Sequence, residues 1–568
     1  MALSLSRLKK DFNPPPLFYL GLSLGLALLG QLFLVQQDRF EWLIYGCFFD
    51  LIAMFLFVRM ARSDLNAKKP AAISASREWL ALSIIFLEAI FFRFFKLGQI
   101  PFGLNSDTAN SGWGALRILH EGWLPLINES QDQFHFPATP YYELAFWFHF
   151  FQPSQYHLLF YSGLLSLFSM AFIYWFFRQT AGAPLALLTL AFIAPMRWDF
   201  AIVRMAHLTG DIHLFMFGCL AFGYYALESS KKWAWLFSTL FLSVGFYAYA
   251  SFKPFLLLLL LILIRETPSR LASIRRILPT FVICIGVFMF AAIPMCLHVL
   301  NSAGFGTPAD HLSIFARARL NHDWIPLLEN PFRTALMFNH RGGGWAPFNL
   351  PGHRILDDAT GILLVLGFGL ALSRWKERKY FYGLTGAVVM CLPATLSINP
   401  QHSARTFGAI PFVAFLAAVA LVEIHQILAQ SKRGFVRGSR WMLLALVLGW
   451  VTFQNGKTYF ADMANFPDFE WANALKETEV ANAIRTDEGQ NDYYLTPYFY
   501  TNFTVRFLDY FQSKRTHLLP WPGGPWPPAP VLNRGAWFVL DRAQTGLLQF
   551  IQELYPGGKV RVFLDQAG

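Results

Sequence analysis

The chain has 568 residues, of which 55% are hydrophobic and only 14% are charged, whereas soluble domains carry about 25% charged residues. This composition excludes a soluble protein with a large core and predicts a polytopic, all-α membrane protein. The formal net charge is +11. The basic residues lie in short clusters between apolar runs, as in cytoplasmic loops of membrane proteins, so the charge does not indicate nucleic-acid binding.

Apolar runs recur along the chain, and many approach or exceed the ~20 residues that cross a bilayer as a helix. They predict about thirteen transmembrane helices by this length criterion. The predicted spans lie at 17–35, 42–58, 78–95, 156–177, 183–196, 208–227, 233–249, 253–265, 278–299, 357–374, 380–398, 407–427 and 440–455.

Every second connection between these spans is rich in Lys and Arg, for example "ARSDLNAKK" (61–69), "SRWKERK" (373–379) and "SKRGFVRGSR" (431–440). The positive-inside rule places such connections in the cytoplasm. We therefore expect an integral inner (plasma) membrane protein with a cytoplasmic N-terminus and an extracytoplasmic C-terminus.

Two long connections, 97–155 and 301–355, then face the outside. The segment "TPYYELAFWFHFF" (139–151) is apolar but short for a span. Its aromatic content is typical of a helix at the membrane interface. The segment 109–121 is predicted to lie there as well.

Residues 456–568 differ in kind from the rest. "DFEWANALKETEVANAIRTDEG" predicts an amphipathic helix, whereas "YYLTPYFYTNFTVRFL" and "AWFVLDR", separated by "LPWPGGPWPPAP", predict strands and turns. We thus expect three regions: an N-terminal pair of spans (1–77), a transmembrane catalytic region (78–455) and a small extracytoplasmic α/β domain (456–568).

Asp107 follows the third predicted span. Ionisable groups near membrane depth are costly and usually functional. The carboxylate of Asp107 has two interpretations: an N-cap for a helix beginning near Thr108, or a general base or divalent-metal ligand at the lipid–water interface.

The stretch "MRWDFAIVRMAHLTGDIH" contains Asp199, Arg204 and His207. It is either an interfacial loop with local Asp–Arg pairs, or a site in which Arg204 and His207, about one helical turn apart, face a phosphate or a sugar. Its two histidines lack the spacing of a zinc site.

Two further outer turns carry cations. "GFYAYASFKPF" contains Tyr249 and Lys253, and "SINPQHSARTFGAIPF" contains His402 and Arg405. Lys253 either extends harmlessly to the interface or binds a lipid phosphate. Because the positive-inside bias disfavours cations at outer span ends, several of them on different hairpins predict an anionic ligand such as a lipid phosphate or diphosphate. "NHRGGGW" (339–345) is predicted to be a flexible turn.

An acid beyond an early span, "YAYASFKP" (247–254) and "PQHSARTFGAIPF" (400–412) resemble motifs of GT-C fold glycosyltransferases. The similarity covers about residues 78–430 and is greatest to bacterial family 39 proteins related to protein O-mannosyltransferases and lipid A aminoarabinose transferases. The resemblance implies a catalytic or metal-linked role for Asp107 and phosphate binding by Lys253 and Arg405, with Arg204 matching a mid-chain Arg.

The chain departs from that pattern in one respect. Many relatives carry Asp-Glu in the first loop, whereas this chain has Asp107 followed by Thr108. A second acid would then come from elsewhere, with Asp199 as the candidate, or be absent. No cofactor is certain, and a divalent metal, Mg²⁺ or Mn²⁺, is an open alternative.

These features predict an inverting glycosyltransferase that moves a sugar from a polyprenyl-phosphate donor to a lipid, glycan or protein acceptor on the outer face. Binding residues besides Asp107 would be Arg204, His207, Tyr249, Lys253, His402 and Arg405. The alternatives are a ligase or polymerase of lipid-linked glycans, a catalytically inactive scaffold, and a lipid or glycan transporter. A transporter would favour inverted repeats and broken helices with charges near the midplane.

Overall fold

The computed structural model describes residues 16–37, 39–63, 73–129, 135–301, 312–487, 491–519, 535–541, 544 and 546–562. The first half contains α1 (Pro16–Val35), α2 (Phe40–Ser63), α3 (Ala75–Phe94), α4 (Ser106–Glu121), the antiparallel strands β1 (Ile127–Glu129) and β2 (His135–Pro137), α5 (Thr139–Phe150), α6 (Gln155–Ala181), α7 (Ala183–Ile193), α8 (Arg197–Arg204), α9 (Ile212–Ser229), α10 (Lys232–Gly245) and α11 (Phe255–Asn301).

The second half contains α12 (Ile314–Asn321), α13 (Ile325–Asn339), α14 (Asp358–Ser373), α15 (Arg378–Thr395), α16 (Ile410–Ala429) and α17 (Gly434–Lys457), which continues as a π-helical turn (Thr458–Met463). The remaining elements are α18 (Pro467–Trp471), α19 (Leu475–Thr486), β3 (Asn491–Leu495), α20 (Pro497–Thr501), α21 (Phe503–Leu508), β4 (Thr516–Leu518), β5 (Gly535–Val539) and α22 (Gly546–Leu554).

Five helical segments in the described ranges are long and apolar enough to cross a bilayer: Pro16–Val35, Phe40–Arg62, Gln155–Ala181, Leu278–His298 and Phe407–Ala429. The pair α7 and α8 would make a sixth if it is one span bent by 57°. The chain is thus an integral membrane protein. The larger predicted number of spans stays a prediction, as does the orientation of the termini.

The helix bundle is centred on α16, whose apolar residues are almost all buried. α14 crosses α16 at Gly367, where a Cβ atom would lie 1.8 Å from the carbonyl oxygen of Leu416. Only glycine permits this approach of two backbones. The centre of the bundle is therefore a packed apolar core.

α11 includes both of the spans predicted at 253–265 and 278–299, and the backbone between them is also helical. Phe255 contacts Phe252, and Phe288 contacts Phe246. In a straight helix positions 255 and 288 would be about 50 Å apart at 1.5 Å per residue, whereas residues 246 and 252 are at most about 21 Å apart in a fully extended chain. The helical segment therefore folds back on itself.

The predicted span 183–196 is interrupted. α7 ends at Ile193, and the chain turns into the short, wholly buried α8. The stretch that the sequence offered as an interfacial loop with a functional cluster is thus part of the packed bundle.

The two ends of the bundle differ, and we name them by their residues. The basic end carries the described ends of the connections α2–α3, α9–α10, α14–α15 and α16–α17. Arg374 links α2, α14 and α16 there by donating to the Ala61 carbonyl oxygen and pairing with Glu423. The loop end carries the described residues within 95–154, 312–357 and 458–562, together with the turns 205–211, 246–254 and 396–406.

The predicted interfacial segments are both helices. Segment 139–151 corresponds to α5, which buries Tyr141, Leu144 and Phe148 and exposes Phe146 and Phe150. Segment 109–121 lies within α4. Their position at a membrane interface stays a prediction.

The C-terminal region contains a parallel three-stranded sheet in the order β4-β3-β5, with α19 as the expected helix. "AWFVLDR" forms β5, but "YYLTPYFYTNFTVRFL" is a strand only up to Leu495. Pro497 then opens α20, and Asn502 caps α21 through its side chain. Apart from Leu519, "LPWPGGPWPPAP" lies outside the described residues.

This region is joined to the first long loop. The Leu104 amide donates to Thr478 Oγ1 (3.0 Å), and Thr504 Oγ1 donates to the Leu104 carbonyl oxygen (2.9 Å). Trp113 on α4 lies against Phe503 on α21. α4 is therefore packed between the helix bundle and the C-terminal region.

Candidate functional site

Asp107 is the second residue of α4, and Asn105 is the N-cap, because the Asn105 side chain accepts from the Asp107 amide at 3.0 Å. The interpretation of Asp107 itself as the N-cap is therefore wrong. Its carboxylate is exposed in the first turn of the helix, where the helix dipole favours negative charge.

Tyr249 lies beside Asp107 in the turn between α10 and α11. Desolvation raises the pKa of the Tyr249 hydroxyl and the Asp107 charge adds to the rise, whereas the hydrogen-bonded Arg405 guanidinium opposes it. A carboxylate, a phenol and a guanidinium thus meet in one electrostatic group.

Arg405 is held from the other side by Ser397, whose Oγ accepts from Nη1 at 2.7 Å. Desolvation lowers the pKa of Arg405, but the guanidinium keeps its charge because its ordinary value is so high. Within the described part of the chain no carboxylate forms an ion pair with Arg405.

Two histidines complete the group. The rings of His207 and Tyr249 are 5.8 Å apart, and Phe348 lies between His207 (5.0 Å) and His402 (5.5 Å). Desolvation lowers the pKa of His207 to about 4 and that of His402 to about 3, the latter helped by the Arg405 charge. Both imidazoles are neutral at pH 7, and His402 Nδ1 is buried without a partner.

The glycine run of residues 342–344 supports this arrangement. A Cβ atom on Gly343 would lie 2.4 Å from the Gln401 carbonyl oxygen. Glycine thus lets the turn that carries Phe348 approach the segment that carries His402. The run serves backbone packing here, and it has neither the strand nor the Lys-Ser/Thr of a P-loop.

Asp199 does not join the group. Its carboxylate, 1% exposed, is paired with the fully buried Arg93 and lies 3.5 Å from His213 Nδ1. These contacts tie α8 to α3 and α9. The prediction of Asp199 as a second acid beside Asp107 is therefore not supported by the geometry.

Arg204 is likewise structural, contrary to its predicted role in substrate binding. Its guanidinium donates to the carbonyl oxygens of Phe92, Arg93, Lys96 and Ile100 and to the Tyr459 hydroxyl. It thereby caps the C-terminal end of α3, where unpaired carbonyl groups attract cations. Its donors are occupied by the protein itself.

Lys253 is half-buried just before α11, with Nζ 5.8 Å from the Phe246 ring centre. The structure shows no contact that brings it together with Asp107, Tyr249 or Arg405. Its predicted role in phosphate binding stays a prediction.

Two acidic residues were given no catalytic or binding role from the sequence. Asp211 is 4% exposed, and within the described residues neither of its carboxylate oxygens has a hydrogen-bond partner. It lines a cavity of about 40 Å³ together with Glu143, Tyr161, His207 and Ser111, and this volume admits a few water molecules. Desolvation raises the pKa of Asp211 to about 7, and desolvation and then the Asp211 charge raise that of Glu143.

This carboxyl pair adjoins the group around Asp107. Ser111 lies one helical turn after Asp107 on α4, and His207 contacts both Tyr249 and the cavity. Glu143 had a signal in the sequence, since it is the one acid within the apolar segment 139–151. Among the described residues no three His, Cys, Asp or Glu side chains are placed to hold a metal ion, so the divalent metal stays a prediction.

No family model matches the chain, and a search of characterised protein sequences finds no match. Among solved structures, the Archaeoglobus fulgidus oligosaccharyltransferase tethered to an acceptor peptide with the NVT sequon is similar, with TM-score 0.48, 12% identity and 79% of this chain covered. This chain covers 64% of that protein. ArnT from Cupriavidus metallidurans bound to undecaprenyl phosphate has TM-score 0.45 and 12% identity, over 79% of this chain and 86% of ArnT. Both are GT-C fold glycosyltransferases, the group that the sequence motifs resemble.

Proposed function

We propose that the chain is an inverting glycosyltransferase that takes a sugar from a polyprenyl-phosphate donor. The observation that carries the proposal is that an exposed carboxylate, Asp107, and a guanidinium, Arg405, both lie beside Tyr249, and that Arg405 forms no ion pair with a described carboxylate. One group can accept a proton while the other stabilises a leaving phosphate.

In this reaction the acceptor oxygen or nitrogen attacks the anomeric carbon of the sugar, and the bond from that carbon to the phosphate oxygen breaks. The electron pair leaves with the phosphate, whose growing negative charge Arg405 stabilises. The Tyr249 hydroxyl, hydrogen-bonded to Arg405, orients the guanidinium. The Asp107 carboxylate takes the proton that the acceptor loses.

The neighbouring carboxyl groups of Glu143 and Asp211 suit a sugar hydroxyl. Two carboxyl groups so close together share a proton because burial and mutual repulsion oppose double ionisation. A protonated carboxyl of Glu143 or Asp211 would donate to a sugar hydroxyl, and the other would accept. This pair takes the place of Asp199 as the second acid of the site.

The donor lipid implies a location. The loop end would face the outside of the cell, where the activated sugar is carried by lipid, and the basic end would face the cytoplasm, in line with the positive-inside rule. The acceptor is a lipid, a glycan or a protein. The proposal requires no metal step, because the described residues supply the base and the counter-charge.

The test is sugar transfer by purified protein in lipid, with a panel of polyprenyl-phosphate sugars and with or without Mg²⁺ or Mn²⁺. Asp107→Asn should lower turnover at least about a hundredfold, the typical loss for a general base, with an unchanged thermal unfolding temperature. Asp468→Asn is the matched control, because Asp468 is also an exposed acid in the first turn of a helix. Equal turnover of Asp107→Asn and wild type would reject Asp107 as the base.

A further inference from the structure

On α13 several apolar side chains are exposed and two polar side chains are buried. Ile325, Leu328 and Phe332 lie along one face and are 63%, 73% and 72% exposed, whereas Asn330 and Thr334 on the other face are 2% and 3% exposed. A helix at a water-exposed surface has the opposite arrangement, with apolar residues inward. The exposed face of α13 is therefore suited to an apolar environment.

The polar face of α13 is hydrogen-bonded to the segment that leads to Arg405. Asn330 Nδ2 donates to the Thr395 and Ser397 carbonyl oxygens, both at 2.9 Å, and Thr334 Oγ1 donates to the Pro400 carbonyl oxygen. Ser397 Oγ in turn accepts from Arg405. One residue, Ser397, thus contacts both α13 and the guanidinium of the candidate site.

The preceding helix is fixed to the same segment. The Ile314 amide donates to the Leu396 carbonyl oxygen, and the Ile398 amide donates to the Leu312 carbonyl oxygen. α12 exposes Phe315 and Leu320 together with Arg317 and Arg319. A surface with both apolar and cationic groups complements an amphiphile with an anionic head.

We infer that the apolar face of α13 (Ile325, Leu328 and Phe332) receives the isoprenoid chain of the donor while the donor phosphate lies at Arg405. The inference rests on the proposed function and adds the surface that selects the lipid. An isoprenoid chain is wholly apolar, so its contact with this face is stabilised by the removal of both surfaces from water or from looser lipid packing. The backbone carbonyls that anchor α13 also fix its distance from the phosphate.

The test measures binding of two probes to the purified protein in phosphatidylcholine nanodiscs: a long-chain polyprenyl phosphate and a short-chain prenyl phosphate. Leu328→Gln and Phe332→Gln should each weaken binding of the long-chain probe about tenfold, the loss expected when one large apolar contact is removed. Binding of the short-chain probe should not change. Leu87→Gln, at a leucine of α3 that is 66% exposed, is the matched control and should leave both affinities unchanged.

Several outcomes would overturn the inference. If neither variant weakens the long-chain probe, the face contacts bulk lipid only. If the variants weaken binding of both probes equally, α13 acts through the fold or through Arg405. If wild type binds the two probes with equal affinity, the protein does not recognise the isoprenoid chain. A protein that binds the long-chain phosphate through Leu328 but transfers no sugar would refute the proposed enzyme and keep this surface.

Discussion

The basic end and the loop end of the bundle differ in how their buried polar groups are partnered. At the basic end three buried or half-buried glutamates each meet an arginine and have a tyrosine in the same cluster. The sets are Glu78 with Arg178 and Tyr174, Glu266 with Arg378 and Tyr382, and Glu423 with Arg374 and Tyr380. At the loop end both oxygens of Asp211 and one nitrogen of His402 are buried without partners.

We relate the paired groups of the basic end to stability and the unpaired groups of the loop end to the proposed function. A buried polar group without a hydrogen bond costs free energy, so such groups persist where a ligand completes them. The three sets at the basic end hold helices together, although Arg440 Nε and His425 Nε2 near the α16–α17 connection are also buried without a hydrogen-bond partner among the described residues. Under our proposal the donor or the acceptor completes the unpartnered groups of the loop end.

The strongest way to test the basic end is Arg378→Gln. Glu266 is 1% exposed, and loss of its partner leaves a buried charge. Because Arg378 is 38% exposed and the Tyr382 hydroxyl still donates to Glu266, we expect unfolding to become easier by about 1–3 kcal/mol, the range for a buried group that loses one partner. Thermal unfolding in detergent measures this, and sugar transfer by the remaining folded protein should keep its wild-type rate. A variant that unfolds at the wild-type temperature but transfers little sugar would show that Arg378 serves function and not stability.

The corresponding change at the loop end is Arg405→Gln. Because the guanidinium pairs with no described carboxylate, we expect little change in unfolding temperature. Turnover should fall about a hundredfold, as when one charge-stabilising donor is removed from a transition state. The rate constant at saturating donor is the quantity to measure. A large loss of stability with normal turnover would show that Arg405 is a structural residue like Arg378.

A smaller effect is expected from Asp211→Asn. Folding raises the pKa of Asp211 to about 7 because of desolvation, so the protonated form favours the folded state. This contribution is complete below pH 4 and is lost as pH rises toward 7. Between pH 4 and pH 7 the free energy of unfolding of wild type should therefore fall relative to that of the asparagine variant. The expected difference is about 1–2 kcal/mol once water entry into the cavity is allowed for. Unfolding temperatures of both proteins at pH 4.5–8 measure it, and parallel curves would show that Asp211 is already ionised or otherwise paired.

Much of the bundle could be predicted because apolar runs and basic connections are visible in the sequence. The bend after Ile193 could not, since α8 is amphipathic yet wholly buried. The strand expected beyond Leu495 failed for a local reason: Pro497 and Asn502 are helix-starting residues in a β-like composition.

The sequence singled out Tyr249, His402 and Arg405 because polar groups at predicted outer span ends are rare. The structure brings the three together, and their binding role stays a prediction. Arg204 met the same criterion and is structural, because its partners are backbone carbonyls that no side-chain pattern reveals. Asp211 and Glu143 were not predictable as a pair. They are distant in sequence and meet only through the packing of α5 against the turn before α9.

The contacts of Leu104 have a consequence for the order of synthesis. Its partners Thr478 and Thr504 lie 374 and 400 residues further along the chain. The segment that bears Asp107 therefore leaves the ribosome early but acquires its final position among the last events of folding. The contacts of Leu104 thus form only after the C-terminal region has been synthesised, whereas the nearby contact of Thr108 with the Met205 carbonyl oxygen can form earlier.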